Sequence, residues 1–375
     1  MVNENLGALF RVKSGDGIAI SKLRPFGMYP VYGGNGINGY TSNYNVDGDT
    51  LVIGRVGEKC GNVNITSTKS WVSDNALIVI PKARYNVEYL SYLLEFLNLN
   101  DYANRNAQPV ISGQIIYAIE APYEDDEEHQ EEIARTLSQF DSYIDDLAEL
   151  IEKKKGIRDG ALEDLISGKT RIRGFCSERK EYSINDITRA VITGGTPSTA
   201  RQEYYGGDIP WLSSTEIHQK RITKPTAYIT EMGLQNSSAK IAPEKSVLIA
   251  LAGQGKTRGT AAYLTKPMAL NQSLAALITN EKCNPEFLYY LIESMYLPLR
   301  ELSSGDGGRG GLNKKLIKGV LVTIPVDVDE QKAIADALLS MDEEIRDLET
   351  ERNKIIQIKE GAMDDLLTGR VRLTK

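Results

Sequence analysis

The chain has 375 residues, long for one apolar core and comfortable for two. No apolar run approaches the roughly 20 residues of a membrane-spanning helix, and "MVNENLGALF" lacks a basic-then-apolar leader pattern, so a cytoplasmic protein is expected. The formal charge of −7 argues against a nucleic-acid partner only until it is divided by segment: residues 124–168 and 329–367 together carry −17, leaving +10 on everything else. Cys60, Cys176 and Cys283 form neither a CxxC pair nor an even disulfide set, and with His129 and His218 they assemble no zinc-type cluster, which predicts reduced thiols and no structural metal.

In chain order, residues 1–123 read as a nearly neutral globular domain. "YPVYGGNGINGY" holds a glycine-rich loop beside Tyr32, Asn35, Asn38 and Tyr40, which offer amide and phenol groups. "TLVIGRVGEKCGN" is a β-rich run followed by a glycine turn bearing Arg55 and Lys59, and Arg105 lies in a later polar loop. Amides and guanidinium groups are the side chains that pair with base edges, and backbone amides freed by glycine can approach phosphates. "NVEYLSYLLE" then reads as a short helix leading to a strand and the acidic segment 124–168.

That segment and residues 328–375 contain the same phrase twice. Shifting the chain by 201 positions aligns Gln130–Arg171 with Gln331–Arg372 without a gap, and 16 of 42 positions are identical. Apolar residues recur at Ile133, Leu137, Phe140, Ile144, Leu147 and Ile151, and at Ile334, Leu338, Met341, Ile345 and Leu348, the four-three spacing of a coiled-coil seam. Each copy predicts one long helix, closed by Gly168 or Gly369 in a left-handed cap. At 1.5 Å per residue such a helix is roughly 60 Å long, more than a small domain needs for internal packing, and predicts a spacer.

Residues 169–327 form the second globular segment, of charge +7 to residue 328. "NPEFLYYLIE" echoes "NVEYLSYLLE", and "SVLIALAGQGKTRG" echoes the first β-rich run, whereas "ITGGTPSTARQEYYGGDIPWLSSTEI" has no close counterpart. Scaffold is repeated while loop chemistry differs. Thr196, Ser198, Ser213, Ser214, Lys256, Arg258, Arg309, Asn313 and Lys314 are the polar and basic residues of these loops and the candidate DNA contacts of this half. Asn75 and the pair Asn271/Gln272 occupy matching places, either reading bases or tying two strands together.

"ALAGQGKT" resembles a relaxed Walker A loop, but Ala250 stands where the turn glycine belongs, and "RGTAAYLTKP" reads as a strand where a helix should aim its N-terminus at phosphate. Lys256 and Arg258 fit a β-turn that neutralises backbone phosphates. No HExxH, nucleophile elbow or Cys/His pair is present; His129 and His218 read as exposed polar residues, and the rod acids are not arranged as an acid–base pair. The chain is not expected to be an enzyme.

"GGTPSTARQEYYGGDIPWLSSTEI", "YPVYGGNGINGYTSNYNVDGDTLVIGRVGEKCGN", "LNKKLIKGVLVTIPVDVDEQKAIA" and the duplicated tail "GALEDLISGKTRI"/"GAMDDLLTGRVRL" resemble the DNA-specificity subunits of type I restriction-modification systems, over essentially the whole chain. The resemblance implies an α+β fold: two pseudo-symmetric target-recognition domains (1–123 and 169–327) separated by an antiparallel two-helix coiled coil from conserved regions 124–168 and 328–375. It further implies recognition of a bipartite, asymmetric double-stranded DNA site, with half-sites on the order of one helical turn, about 34 Å, apart. Two methylation subunits and restriction subunits would be the partners. S-adenosylmethionine, ATP and Mg²⁺ would be used by them, with no cofactor bound by this chain. The near-neutral first domain departs from the usual basic DNA reader: either Arg11, Lys13, Lys22, Arg24, Arg55 and Lys59 share a face or the partners supply phosphate affinity. A coiled-coil scaffold without DNA readout is the alternative, and it gives no reason for divergent donor-rich loops on a repeated scaffold.

Overall fold

A computed structural model describes residues 1–82, 85–253, 255–303 and 311–373. The chain divides into two compact units, Met1–Leu150 with Leu348–Lys375, and Ile151–Asp347. Both are mixed helix and strand, and both contain part of each duplicated segment.

The duplicated segments are the continuous helices Glu127–Ser167 and Val328–Leu367. Each ends as expected, with Gly168 (φ +81°) and Gly369 (φ +73°) in the left-handed region that stops a helix without a Cβ penalty. Of the predicted seam, Ile133, Leu137, Ile144 and Leu147 in the first unit and Ile151, Ile334, Leu338 and Ile345 in the second are buried, and Phe140, Met341 and Leu348 are half-buried. The division at 150/151 and 347/348 differs from boundaries drawn at the helix ends, because each core recruits segments of both helices. In the first unit Ile133, Ala134 and Leu137 share a core with Met363, Leu366 and Leu367. In the second, Leu162, Leu165 and Ile166 join Ile334, Ala335 and Leu338.

Within each unit the two helices run antiparallel, and their polar contacts repeat. In the second unit Arg158 Nε donates to Asp342 Oδ1 at 2.8 Å and Lys154 reaches Glu344 at 2.6 Å. In the first, Lys359 Nζ donates to Asp141 Oδ1 at 2.6 Å and Tyr143 Oη to Glu351 at 2.6 Å. Arg158 and Lys359 are equivalent under the 201-residue shift, as are Asp342 and Asp141. The aromatic partner repeats too: Tyr290 Oη donates to Asp342 at 2.8 Å beneath Arg158, and Tyr92 Oη to Asp141 at 2.6 Å beneath Lys359.

The start of each long helix is locked by a glutamine. Gln130 accepts from the Asn86 amide at 2.8 Å and donates to the Glu124 carbonyl at 2.6 Å; Gln331 accepts from the Asn284 amide at 2.8 Å and donates to the Pro325 carbonyl at 2.8 Å. Those asparagines cap the short helices Val87–Phe96 and Pro285–Ser294, so one glutamine ties a strand end, a helix cap and the rod together. A two-stranded ladder lies beside each lock: Val2–Asn5 with Glu120–Tyr123, and Arg179–Ser183 with Leu321–Pro325.

The sheets also correspond. Phe10–Ser14, Ala76–Pro81, Thr50–Gly54 and Val63–Thr66 form one antiparallel sheet, matched by Thr188–Thr193, Leu274–Thr279, Val247–Ala250 and Ala261–Leu264, with Arg221–Ile222 added parallel at the edge. In a second sheet Tyr29–Gly33 pairs parallel with Trp71–Val72, as Tyr205–Leu212 does with Met268–Leu270. The sequences that show no counterpart therefore occupy equivalent strands. This register corrects one match: Val72 corresponds to Leu270, so Asn75 is equivalent to Ser273 and Asn271 to Ser73.

His129 is also corrected. It is buried, with Nδ1 2.7 Å from Glu124 Oε2, because the first turn of the rod faces a buried carboxylate that needs a partner. His218 is exposed as expected. Cys60 and Cys283 are buried thiols and Cys176 is exposed. Burial pushes the Cys283 thiol up to about 12, so it stays protonated and unreactive.

Arg158 is 4% exposed and faces both Asp342 and Glu293. Burial alone would lower its pKa, but the two carboxylates more than offset this and raise it. Arg158→Ala should destabilise the protein by about 3–5 kcal/mol, since it removes the buried cation shared by two largely desolvated carboxylates and leaves Asp342 only the Tyr290 hydroxyl and Glu293 only Lys220. Lys359→Ala should cost about 1 kcal/mol or less, because Asp141 is 40% exposed. Denaturant unfolding of the two variants checks the ranking.

Candidate nucleic-acid interface

In the first unit, three loops at one end of the sheet are stitched by main-chain bonds. The Arg55 amide donates to the Asn75 carbonyl at 2.9 Å, the Ile111 amide to the Arg55 carbonyl at 2.9 Å, and the Gly57 amide to the Pro109 carbonyl at 2.9 Å. The hairpin turn between Tyr29–Gly33 and Gly36–Thr41 closes onto this cluster. A side chain at Gly34 would meet the Val56 carbonyl oxygen at 2.4 Å, so only glycine permits the approach. Arg105 Nη2 donates to Asn100 Oδ1 at 2.5 Å, and Asn100 Nδ2 to the carbonyls of Glu58 at 2.9 Å and Cys60 at 2.7 Å. The structure thus gathers Asn35, Arg55, Lys59 and Arg105 into neighbouring loops. Asn35, Lys59 and Arg105 are exposed, and Arg55 is half-buried.

Asn38 and Tyr40 lie on the second hairpin strand, Gly36–Thr41, with Asn38 exposed and Tyr40 half-buried. Tyr32 packs against the small core of Val52, Val72 and Ala76, and burial raises its phenol pKa. Its body serves the fold first.

The second unit builds the equivalent end from different side chains. The Leu251 amide donates to the Ser273 carbonyl at 2.8 Å and the Asn271 amide to the Leu212 carbonyl at 2.9 Å, matching Arg55–Asn75 and the bond from the Ser73 amide to the Tyr32 carbonyl at 2.9 Å. The "GGTPS" loop is held by Trp211 Nε1 donating to the Gly195 carbonyl at 3.1 Å and Tyr205 Oη to the Pro197 carbonyl at 2.6 Å. Thr196 and Ser198 are left exposed on it, and Thr196 Oγ1 donates to Gln272 Oε1 at 2.7 Å. Asn271 is buried, and its Oδ1 accepts from the Ser273 amide at 2.9 Å, closing a local turn rather than tying two strands together.

Residues 251–253 and 255–260 form loop and turn between two strands, so the described residues of the Walker-like segment offer no helical N-terminus to a phosphate. The loop is strapped by Arg300, whose Nη1 donates to the Gly255 carbonyl at 2.5 Å, and by Tyr296 Oη donating to the Lys256 carbonyl at 3.2 Å. His218 Nε2 lies 3.1 Å from Thr257 Oγ1, joining this loop to the one after Tyr205–Leu212. Lys256 is exposed; Arg258 is half-buried, with Nη1 3.5 Å from Ser303 Oγ. Arg309 lies outside the described residues. Asn313 is the N-cap of the helix Lys314–Gly319, accepting from the Leu316 amide at 3.0 Å, as Ser112 caps Gly113–Tyr117 201 positions earlier. Its side-chain oxygen serves the cap, and both Asn313 and Lys314 are exposed.

Sequence reading missed Glu216. The carboxylate is 3% exposed and accepts from the Ser213 amide at 3.0 Å, Ser213 Oγ at 2.8 Å, Thr215 Oγ1 at 2.9 Å and Thr226 Oγ1. The hydroxyls of Ser213 and Thr215 are therefore both held by an internal anion, leaving half-buried Ser214 as the outward group of that loop. The run "SSTE" followed by "IHQ" carried the signal, a hydroxyl cluster just ahead of an acid at a turn.

Among the described residues no His, Cys, Asp or Glu cluster could hold a metal ion, and no helix is long and apolar enough to cross a membrane. The family described as Type I restriction modification DNA specificity domain matches residues 1–155 and 177–360, one stretch for each half of the repeat. The chain belongs to this specificity family. Similar members include the EcoprrI specificity subunit of Escherichia coli, 30% identical over 155 residues (40% of this chain and 38% of that subunit). The EcoR124I/EcoR124II specificity subunit of Escherichia coli is 24% identical over 295 residues, 74% of this chain and 71% of that one. The HindI subunit of Haemophilus influenzae, like EcoprrI, is matched over only about two-fifths of its length, 39%. In fold, the chain is similar to the type I restriction-modification S subunit of M. genitalium, with a TM-score of 0.67 at 17% identity over 100% of this chain and 96% of that one. The specificity fold is thus present in both halves.

Burial alone would raise the Glu216 carboxyl, but the hydroxyl donors outweigh it and hold it below the usual carboxylate range. A carboxylate depressed on folding stabilises the protein above its unfolded pKa, near 4.3, and that stability is lost as pH falls through the folded value. Glu216→Gln should therefore flatten the fall of stability below about pH 4.3, measured by unfolding across pH 2 to 6.

Proposed function

We propose that this chain is the sequence-reading, non-catalytic subunit of a type I restriction-modification assembly, recognising a bipartite, asymmetric double-stranded DNA site. The observation that carries this is the repeated sheet end: main-chain bonds at equivalent positions in the two units present different side chains. Asn35, Arg55, Lys59 and Arg105 stand on one, and Thr196, Ser214, Lys256 and Lys314 on the other. A repeated scaffold with unlike donors suits two unlike half-sites. Two methylation subunits and restriction subunits are the proposed partners; S-adenosylmethionine, ATP and Mg²⁺ chemistry belongs to them, and the assembly works in the cytoplasm. The long helices, acidic and continuous from one unit to the other, would set the half-site spacing and dock the partners.

Mapping methylated positions in the host genome supplies the duplex for the tests. The isolated chain should bind it weakly and the assembly tightly, with affinity falling steeply as salt rises; tight, salt-insensitive binding by the chain alone overturns the reading. Lys256→Ala should weaken binding across sequences and reduce the log–log salt slope by about one. Inserting two turns, about seven residues, at equivalent places in both long helices should change the number of unread base pairs between half-sites. Methylation mapping that returned the original spacing would end the ruler idea.

A further inference from the structure

Three large apolar side chains of the first unit stand in solvent within nine residues of sequence: Ile20 is 86% exposed, Phe26 84% and Met28 74%. Leaving such side chains exposed forfeits the free energy that their burial would contribute. The segment is not a loose tail. Arg24 and Tyr40 exchange both main-chain bonds, at 3.0 and 2.9 Å, pinning the segment to the hairpin strand Gly36–Thr41. Gly27 lies so close to that strand that a side chain there would meet Tyr40 Cβ at 2.7 Å. Pro25 and Gly27 flank Phe26, so the ring projects from a clamped turn.

The surroundings fit a polyanion. Residues 17–46 contain Lys22 and Arg24 and no aspartate or glutamate, within a domain of zero net charge. A groove of about 540 Å³ beside the turn is lined by Lys22, Arg24, Phe26, Met28, Tyr40 and Asn43, again with no carboxylate. It is continuous through Tyr40 with the hairpin that carries Asn38 and Asn35. A convex apolar finger beside cations is the arrangement by which proteins part a base step while binding the adjacent phosphates.

We propose that Phe26, supported by Met28, is a wedge that enters the duplex at the half-site read by the first unit, partly unstacking one base step while Lys22 and Arg24 hold the adjacent phosphates. This deepens the DNA-reading proposal and rests on it. It also supplies readout from a domain with no excess of positive charge: the cost of unstacking depends on the step, and pyrimidine–purine steps are the most easily opened.

The test uses the complete assembly on duplexes carrying the methylation-mapped site, with 2-aminopurine placed in turn at each purine of the first half-site. In the wild type one position should brighten on binding. Phe26→Ala should abolish the rise and weaken binding about tenfold, and Phe26→Leu should keep part of both. Assembly with the methylation subunits, followed by size-exclusion chromatography, should be unchanged. Sequence-specific binding with no brightening in the wild type, or with unchanged affinity in Phe26→Ala, overturns the wedge and leaves DNA reading intact. Loss of the methylation subunits from the Phe26→Ala assembly makes the finger a protein contact and overturns the wedge. Wild-type assembly that fails to distinguish the mapped duplex from an unrelated one overturns the underlying reading.

Discussion

Neither globular unit closes its core from contiguous sequence. The first needs Met363, Leu366 and Leu367 from the far end of the chain beside Ile133 and Leu137; the second needs Leu162, Leu165 and Ile166 beside Ile334 and Leu338. Apolar side chains at the start of one long helix and the end of the other are thus covered only by each other and by the sheet domain they enter. This mutual requirement explains why glycines and acids are repeated along with the seam. Asp141 and Asp342, each held by a tyrosine and a cation, sit in the same place in two copies of one packing problem.

The electrostatics divide accordingly. The helices carry the acid, and where that acid is desolvated it is paired: Asp342 and Glu293 with Arg158, and Glu330 with Arg171 and Ser177. Glu330 has no exposed surface and takes Arg171 Nη2 at 2.7 and 2.9 Å; Ser177 Oγ donates at 2.6 Å. Burial would raise that carboxyl, and these donors lower it instead. Net charge summed over the chain hides this division of labour, since paired helix acids and exposed loop bases answer to different partners.

The long helices, their glycine stops and their apolar seam were legible in the sequence because a 3.6-residue period and a left-handed cap are local properties. That a strand, Ala261–Leu264, follows the Walker-like segment where a P-loop would need a helix was legible from the same local pattern. The matching of Asn75 with Asn271 was not: a slip of two residues in strand register preserves the alternation of side chains, and only the parallel pairing of Trp71 with Val31 and of Ala269 with Trp211 fixes it. Nor could sequence show that Asn313 caps a helix, because its polar, glycine-rich surroundings read simply as loop. His129 was misjudged since five residues separate it from Glu124, and only the turn between strand and helix folds one onto the other.

The stitching of the loops is almost wholly between amides and carbonyls: Arg55 to Asn75, Ile111 to Arg55, Leu251 to Ser273, Asn271 to Leu212. Bonds of that kind are indifferent to which side chain a residue bears. Outward-facing positions such as Asn35, Lys59, Ser198 and Lys256 consequently owe little to folding stability. Under the proposed reading, mutation could rewrite them one after another, changing the address while the frame survives, so that a new preference arises in one half without disturbing the other.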